Sequence, residues 1–193
     1  LEDLETSSKA TNTLKKQEGS YTDLYFNYSI NQDLRDKKFR TESGYQTFFT
    51  QEVPIISDNS EFSNSFEISK FKKLSTRSDT VGKISFYAKT ITGLSDDVRI
   101  SKRLNIPSSK LRGFEKGRVG PVDNNDFVGG NHVTALNLSA TLPNIVEGLD
   151  NLDIGVFIDA ANVWGVDYDN SLDDKNTIRT STGVAFNLLT PIG

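Results

Sequence analysis

The residues with the clearest chemistry stand in a polar stretch that contains Leu111-Arg112-Gly113-Phe114 and, a few residues later, Gly120. Arg112 carries a permanent charge and offers a planar donor fork that suits a carboxylate. Gly113 and Gly120 allow tight backbone turns, and Phe114 is a large apolar group among polar neighbours. This combination predicts a long loop that folds back on the protein and is held there by the arginine.

A carboxylate partner, Asp159, stands in the segment Phe157-Ile158-Asp159-Ala160-Ala161, on its polar side. We predict a salt bridge from Arg112 to Asp159. Where such a pair is shielded from water, removing one partner costs about 3–5 kcal/mol, because the other charge is left buried. The alternative interpretation is that Arg112 is a solvated loop arginine and that Asp159 contacts only water.

Polar and apolar residues alternate along the segments that would position this pair, as they do in strands with one apolar face. In Tyr21–Asn31, Leu24 and Phe26 alternate with Asp23 and Tyr25. The same alternation runs through Val81–Ile91, Asn131–Leu142, Leu152–Trp164 and Thr177–Leu189, and less regular segments lie near Gly44–Val53 and Phe62–Lys73. The pattern predicts about seven strands and no helical periodicity.

The predicted strands, of about ten residues, are longer than the five or six usual in soluble sheets and suit tilted strands that cross a bilayer. Short connections are predicted near Asp33–Lys38, Ser75–Asp79 and Pro143–Asp150, and longer ones at Ile55–Glu61, Gly93–Gly130 and Gly165–Asn176. Such asymmetry is typical of outer-membrane barrels. Charges on the polar faces suit a wet lumen better than a sandwich core. An antiparallel transmembrane β-barrel is therefore favoured over a soluble all-β fold.

Composition sets few further limits. The chain has 193 residues, 35% of them hydrophobic and 25% charged, with a net charge of −4. No run approaches the roughly 20 apolar residues of a transmembrane helix, and no basic face suggests nucleic acid. The sequence lacks cysteine, and it lacks methionine even at position 1. We expect a processed chain or, more in keeping with the motifs below, a fragment.

Several other residues could suggest a functional site, but a simpler interpretation is favoured for each. His132 is the only histidine and stands at a strand start, so a metal or catalytic role is not expected. Trp164 ends a strand on the apolar side and is predicted to be an interfacial girdle residue. The acidic cluster of Asp167, Asp169, Asp173 and Asp174 lacks the glycine and glutamate of an EF-hand and favours a solvated loop. We expect no cofactor, no metal and no enzymatic activity.

The motifs together resemble the Omp85 (bacterial surface antigen) family. Leu111-Arg112-Gly113-Phe114 is similar to its VRGF motif in the sixth extracellular loop, with leucine for valine, and Gly120-Pro121 matches the Gly-Pro that follows. The family's FxDxG motif corresponds to Phe157, Asp159 and Ala161. Weaker matches are Phe39–Gly44 to the FPTxG turn, Gly129-Gly130-Asn131 before a strand, and the final segment from Ile178 to Gly193.

Three departures from the family pattern bear on the site. Ala161 replaces the glycine of FxDxG and is expected to tighten the site around the loop tip. Arg40 replaces the proline of the turn. Ser139 stands where related proteins often carry a lumen glutamate, which leaves Asp159 as the main expected acceptor for Arg112.

The resemblance implies a partial barrel over residues 1–193, with seven strands corresponding to strands eight to fourteen of sixteen. Residues 1–19 would form an extracellular loop and 94–130 the loop that folds into the lumen. The periplasmic POTRA domains and the closing strands would lie outside this chain.

The implied function is folding and insertion of outer-membrane β-barrel proteins in a Gram-negative outer membrane. Its partners would be nascent barrel proteins, membrane lipid and, through the POTRA region, accessory lipoproteins. A secretion pore of the two-partner type or a passive channel is the alternative from the same superfamily. A soluble β-sandwich binding module is the alternative from another class.

Overall fold

The computed structural model describes residues 1–8, 10–75, 77–143, 148, 151–167, 172 and 176–188. The strands, in chain order, are β1 (Glu2–Leu4), β2 (Gly19–Tyr21), β3 (Asp23–Asp33), β4 (Gly44–Ser57), β5 (Glu61–Lys73), β6 (Val81–Gly93), β7 (Val122–Asp123), β8 (Asp126–Phe127), β9 (His132–Pro143), β10 (Leu152–Trp164) and β11 (Arg179–Leu188). One turn of helix, α1 (Asn12–Lys15), and a 3₁₀ turn at Ile100–Lys102 complete the elements.

Seven of these strands form one antiparallel sheet in the order β11-β10-β9-β6-β5-β4-β3. Neighbours along the chain are also neighbours in the sheet, so the topology is the up-and-down meander of a barrel wall. The prediction of a partial antiparallel barrel of about seven strands is confirmed, whereas the rank of these strands in a larger barrel stays a prediction. Within the described residues, β3 and β11 each pair on one side only.

The sheet has one apolar and one polar face, because side chains alternate between the two faces of a strand. Apolar residues on the outer face are exposed, among them Leu24, Phe26, Ile30, Ile84, Phe86, Leu136, Leu138, Val156, Ile158, Val184 and Phe186. Strand pairing places them beside one another, as in Ile84 opposite Leu138 and Leu138 opposite Ile158. A continuous exposed apolar band of this kind fits contact with lipid rather than water.

The buried core lies on the inner face, where the connection between β6 and β9 packs against the sheet. Val98, Leu104, Ile106, Leu111 and Val119 of this connection are buried. They form one cluster with strand residues Ile91, Val133, Ala135, Ala161 and Val163. The long loop predicted at 94–130 therefore occupies the concave side of the sheet.

Two predicted connections are wrong in length. The long loop predicted at Ile55–Glu61 is a turn of only three residues, because β4 continues to Ser57 and β5 begins at Glu61. The sequence predicted a loop that begins at Ile55, but the register shifts at Pro54 and Ile55 in a β-bulge, and bulges accept a proline. The connection predicted as short at Asp33–Lys38 covers residues 34–43.

The longer turn at 34–43 depends on Gly44 at its end. Gly44 has a φ of +96°, and a Cβ there would lie 2.1 Å from the carbonyl oxygen of Leu34. Only glycine fits such a position without strain. The glycine of the FPTxG-like segment therefore has a steric role, and Arg40, in place of the proline, adopts a positive φ of 47°.

The N-terminal segment is more ordered than the loop predicted for residues 1–19. Glu2–Leu4 pairs with Gly19–Tyr21 as a small antiparallel sheet around α1. The predicted turn at Pro143–Asp150, most of the acidic cluster (Asp169, Asp173 and Asp174) and the stretch 189–193 lie wholly or largely outside the described residues. No helix in the described part of the chain is long and apolar enough to span a membrane.

Candidate functional site

Arg112 and Asp159 meet on the inner face of β10. The guanidinium Nη2 lies 2.7 Å from Oδ1 of Asp159, and Nε lies 2.8 Å from Oδ2, which is the two-pronged geometry of a strong arginine–carboxylate pair. The backbone N–H of Arg112 also donates to Oδ2, at 3.1 Å. The side chain of Asp159 is fully buried, and that of Arg112 is 34% exposed. The carboxylate is thus shielded from water and satisfied by the loop.

Asn137 is a third member of this site. It lies opposite Asp159 in the pairing of β9 with β10, and its amide donates to Oδ1 of Asp159 at 2.8 Å. The same amide nitrogen donates to the carbonyl of Lys110 at 2.8 Å. The sequence placed Asn137 on the polar face but gave no sign of this contact, because the contact depends on the register of two strands. Ser139, the position considered for a second anchor, lies one inward position further along β9, opposite Phe157.

The aromatic ring of Phe157 packs against the guanidinium of Arg112. Its ring centroid lies 3.5 Å from the Arg112 Cζ, so the guanidinium stacks on the aromatic face. Across the next strand pair, Gly183 stands opposite Phe157. A Cβ at Gly183 would lie 2.8 Å from the Cζ of the Phe157 ring. The absence of a side chain at 183 therefore leaves room for the ring in this position.

Residues next to Arg112 add further contacts between the loop and the sheet. Leu111 is buried in the inner-face cluster, which also contains Ala161. Lys110 forms an ion pair with Glu67 of β5, and its ammonium lies 5.4 Å from the ring centroid of Tyr87. Phe114 is 37% exposed, so Leu111 supplies more of the apolar anchoring than the larger Phe114. Gly113 has a φ of +83° and needs the left-handed conformation that glycine tolerates.

Arg40, in the turn at 34–43, contacts Asp153 of β10 on the inner face of the sheet. Its Nη2 lies 2.9 Å from Oδ1 of Asp153, at the start of β10, and its Nε lies 3.2 Å from Oδ2. Asp153 is buried. In the sheet order, β4 and β10 are separated by three strands, so this contact crosses the concave side. Arg40, which stands where the family has a proline, thus links the turn before β4 to the distant strand β10.

The last predicted site residue, Trp164, lies at a strand end on the outer face. Trp164 ends β10 opposite His132, which begins β9, and their ring centroids are 5.6 Å apart. The position of Trp164 is compatible with an interfacial girdle, a role that stays a prediction. Among the residues that the structure describes, no group of three or more His, Cys, Asp or Glu side chains could hold a metal ion.

A curved meander with an apolar outer face, a polar inner face and an inward-folded loop defines a segment of a transmembrane β-barrel. A sequence profile of the Omp85 superfamily domain matches residues 2–193. The chain belongs to the Omp85 superfamily and is an Omp85-type outer-membrane protein.

A solved structure with a similar fold is that of BamA from Haemophilus ducreyi lacking POTRA domains 1–3. The two share 21% sequence identity with a TM-score of 0.74, over 86% of this chain and 36% of that one. The chain thus spans little more than a third of the BamA chain that it matches, and at this identity the likeness concerns the fold.

Proposed function

We propose that this protein is an outer-membrane assembly factor of the Gram-negative type, which folds and inserts β-barrel proteins without enzymatic chemistry. The observation that carries the proposal is the loop held to β10 by Arg112 and Asp159, in a chain of the Omp85 superfamily. The similarity of the fold to a solved BamA structure supports the proposal. Its partners would be nascent barrel proteins, membrane lipid and accessory lipoproteins.

The role proposed for the site is to hold the long loop inside the lumen. Two bonds from the guanidinium, one from the Arg112 backbone and one from Asn137 satisfy the carboxylate of Asp159. Removing the arginine side chain would take two of these four bonds from a buried carboxylate. Because Arg112 is itself 34% exposed, solvent screens the pair, and the cost is expected to fall below the roughly 3–5 kcal/mol of a fully buried pair. The loop would then leave the inner face more often, and the curvature of the wall would be less well defined.

The proposed role also requires contact with the bilayer, and the apolar outer face is suited to that contact. The seven long strands have 10 to 14 residues, and about 9–11 residues suffice for a tilted strand to cross the hydrocarbon region. An apolar band on such strands supports a location in the outer membrane, with the inner face toward water.

The experiment uses the full-length parent gene in cells depleted of their own assembly factor. Restoration of porin levels in the outer membrane is expected if the protein is an assembly factor. If the protein instead forms a conducting pore and porins stay depleted, the secretion or channel alternative replaces the proposal. An empty vector and a vector encoding an unrelated barrel of similar expression provide the controls.

A further inference from the structure

A second arginine of the long loop, Arg99, is fully buried near the loop's beginning. Its Nε donates to Oε1 of Glu61 at 3.0 Å, and its Nη2 donates to Oδ2 of Asp23 at 2.5 Å. Its Nη1 donates to Oε2 of Glu2 at 3.3 Å. One guanidinium therefore binds three carboxylates, from β5, β3 and β1.

Other side chains contact Arg99 and two of the carboxylates that it binds. The ring of Tyr21 covers the guanidinium, with 4.4 Å between Cζ and the ring centroid. The hydroxyl of Tyr25 donates to Oε2 of Glu61 at 2.5 Å, and the hydroxyl of Ser57 donates to Oδ1 of Asp23 at 2.6 Å. Burial alone would lower the pKa of Arg99, but its bonds to Glu61 and Asp23 raise that pKa above the ordinary arginine value.

These contacts lie at one end of the sheet. Asp23 and Glu61 are the first residues of β3 and β5, and Arg99 follows shortly after the end of β6. The next loop residue, Ile100, donates its N–H to the side-chain oxygen of Gln17 at 2.8 Å. The N-terminal segment, the beginning of the loop and three strand ends thus meet around one cation.

A small apolar cluster lies next to these contacts, and together they form a layer over this end of the sheet. Leu14 of α1 and Val128, just after β8, are buried together, with Ala10, Ile100, Val166 and Leu172 packed against them. Val166 follows β10, so the layer reaches from the β3 side of the sheet to the β10 side. At the end of a water-lined lumen, a covering of this extent would restrict passage.

We propose that Arg99 is a second positioning residue of the long loop, which fixes the loop's beginning to β1, β3 and β5 and thereby closes this end of the lumen. Stability alone is a weak reason for such a cluster, because desolvating several charges offsets much of their attraction. What the arrangement provides is a unique position for the loop, since the donors of a planar guanidinium point in fixed directions and here bond carboxylates from three separate segments. The inference holds whether the barrel assembles or secretes proteins.

The test is the ion conductance of the purified full-length protein in planar lipid bilayers, with Arg99→Ala, Arg99→Lys and the control Arg118→Ala. Arg118 lies in the same loop but is exposed, and it contacts exposed groups: it pairs at 3.6 Å with Glu115 and lies 5.8 Å from the ring centroid of Phe127. Electrophoretic heat-modifiability confirms in parallel that each barrel is folded. Arg99→Ala is expected to raise the frequency of open events several-fold, Arg99→Lys to raise it less, and Arg118→Ala to match the wild type.

A folded Arg99→Ala barrel that conducts like the wild type would overturn the proposal, as would an equal rise in Arg118→Ala. If Arg99→Ala does not fold, the folded Arg99→Lys barrel decides, because it keeps the charge but loses the fork. Wild-type conductance in that variant contradicts the closure role. Because conductance is recorded without substrate, failure here is distinguishable from failure to restore porins in cells.

Discussion

Asn137 and Asp159 face each other across β9 and β10, and the Asn137 amide donates to the Asp159 carboxylate at 2.8 Å. The same nitrogen donates to the carbonyl of Lys110, two residues before Arg112. One side chain therefore links the buried acceptor of the sheet to the backbone of the loop. The ion pair between Arg112 and Asp159 is accordingly one part of a three-residue site.

The first prediction concerns Asn137→Ala. Removing the amide takes one donor from a buried carboxylate and one from a loop carbonyl, which lowers the free energy of unfolding by about 1–3 kcal/mol. Thermal unfolding of the full-length barrel in detergent should therefore occur at a lower temperature. Ser139→Ala is the matched control, because Ser139 occupies the next inward position of the same strand, opposite Phe157. Within the described residues its hydroxyl forms no hydrogen bond with Arg112, Asp159 or Asn137. An unchanged unfolding temperature in Asn137→Ala would show that the amide adds nothing.

A second prediction concerns the space beside Phe157. Gly183→Ala places a Cβ within 2.8 Å of the ring, which must move and shift the surface on which Arg112 stacks. Destabilisation of about 1–3 kcal/mol, the usual cost of overpacking, is expected in the same thermal assay. Gly155→Ala is the control, since a Cβ there meets its nearest neighbour, the Ala140 carbonyl oxygen, at 3.4 Å. Equal effects of the two substitutions would contradict the steric argument.

A third prediction concerns the contact across the concave side between Arg40 and Asp153. Asp153 is nearly buried but Arg40 is about one-third exposed, so solvent screens the pair and a coupling of about 1 kcal/mol is expected. A double-mutant cycle with Arg40→Ala and Asp153→Ala, read from thermal unfolding, measures it. Strictly additive effects would mean that the contact does not join the turn at 34–43 to β10.

The faces of the strands could be predicted from the sequence, because the alternation of side chains is a local property. Leu24 and Phe26 are exposed on the outer face and Asp159 is buried on the inner one, as their parity implies. Which inward residues touch depends on strand register and on the path of the loop, neither of which is local. The contacts of Asn137 and of the carboxylates around Arg99 could therefore not be predicted, and a loop was predicted from Ile55, where the structure has a bulge.

The parts of the site with a recognisable pattern were the most predictable. Arg112 and Asp159 stand in short motifs, and their residue types suggested a pair. Phe114 was singled out for its size, yet the neighbouring Leu111 is the residue buried in the core. The size of a side chain does not tell which side of a loop faces the sheet. The positive φ of Gly113 turns the chain between Leu111 and Phe114.

The most direct measurement of the central claim substitutes Arg112→Ala and Asp159→Ala, singly and together, in the full-length gene under depletion of the host's assembly factor. Porin levels and heat-modifiability of the barrel are the two readouts, with Arg118→Ala as the control for loss of a loop arginine. Each single change is expected to impair both readouts, and the double change to be no worse than either, because the two side chains act as one unit. If the wild type restores porins and the substitutions change nothing, the Arg112–Asp159 pair does not hold the loop in a functional position.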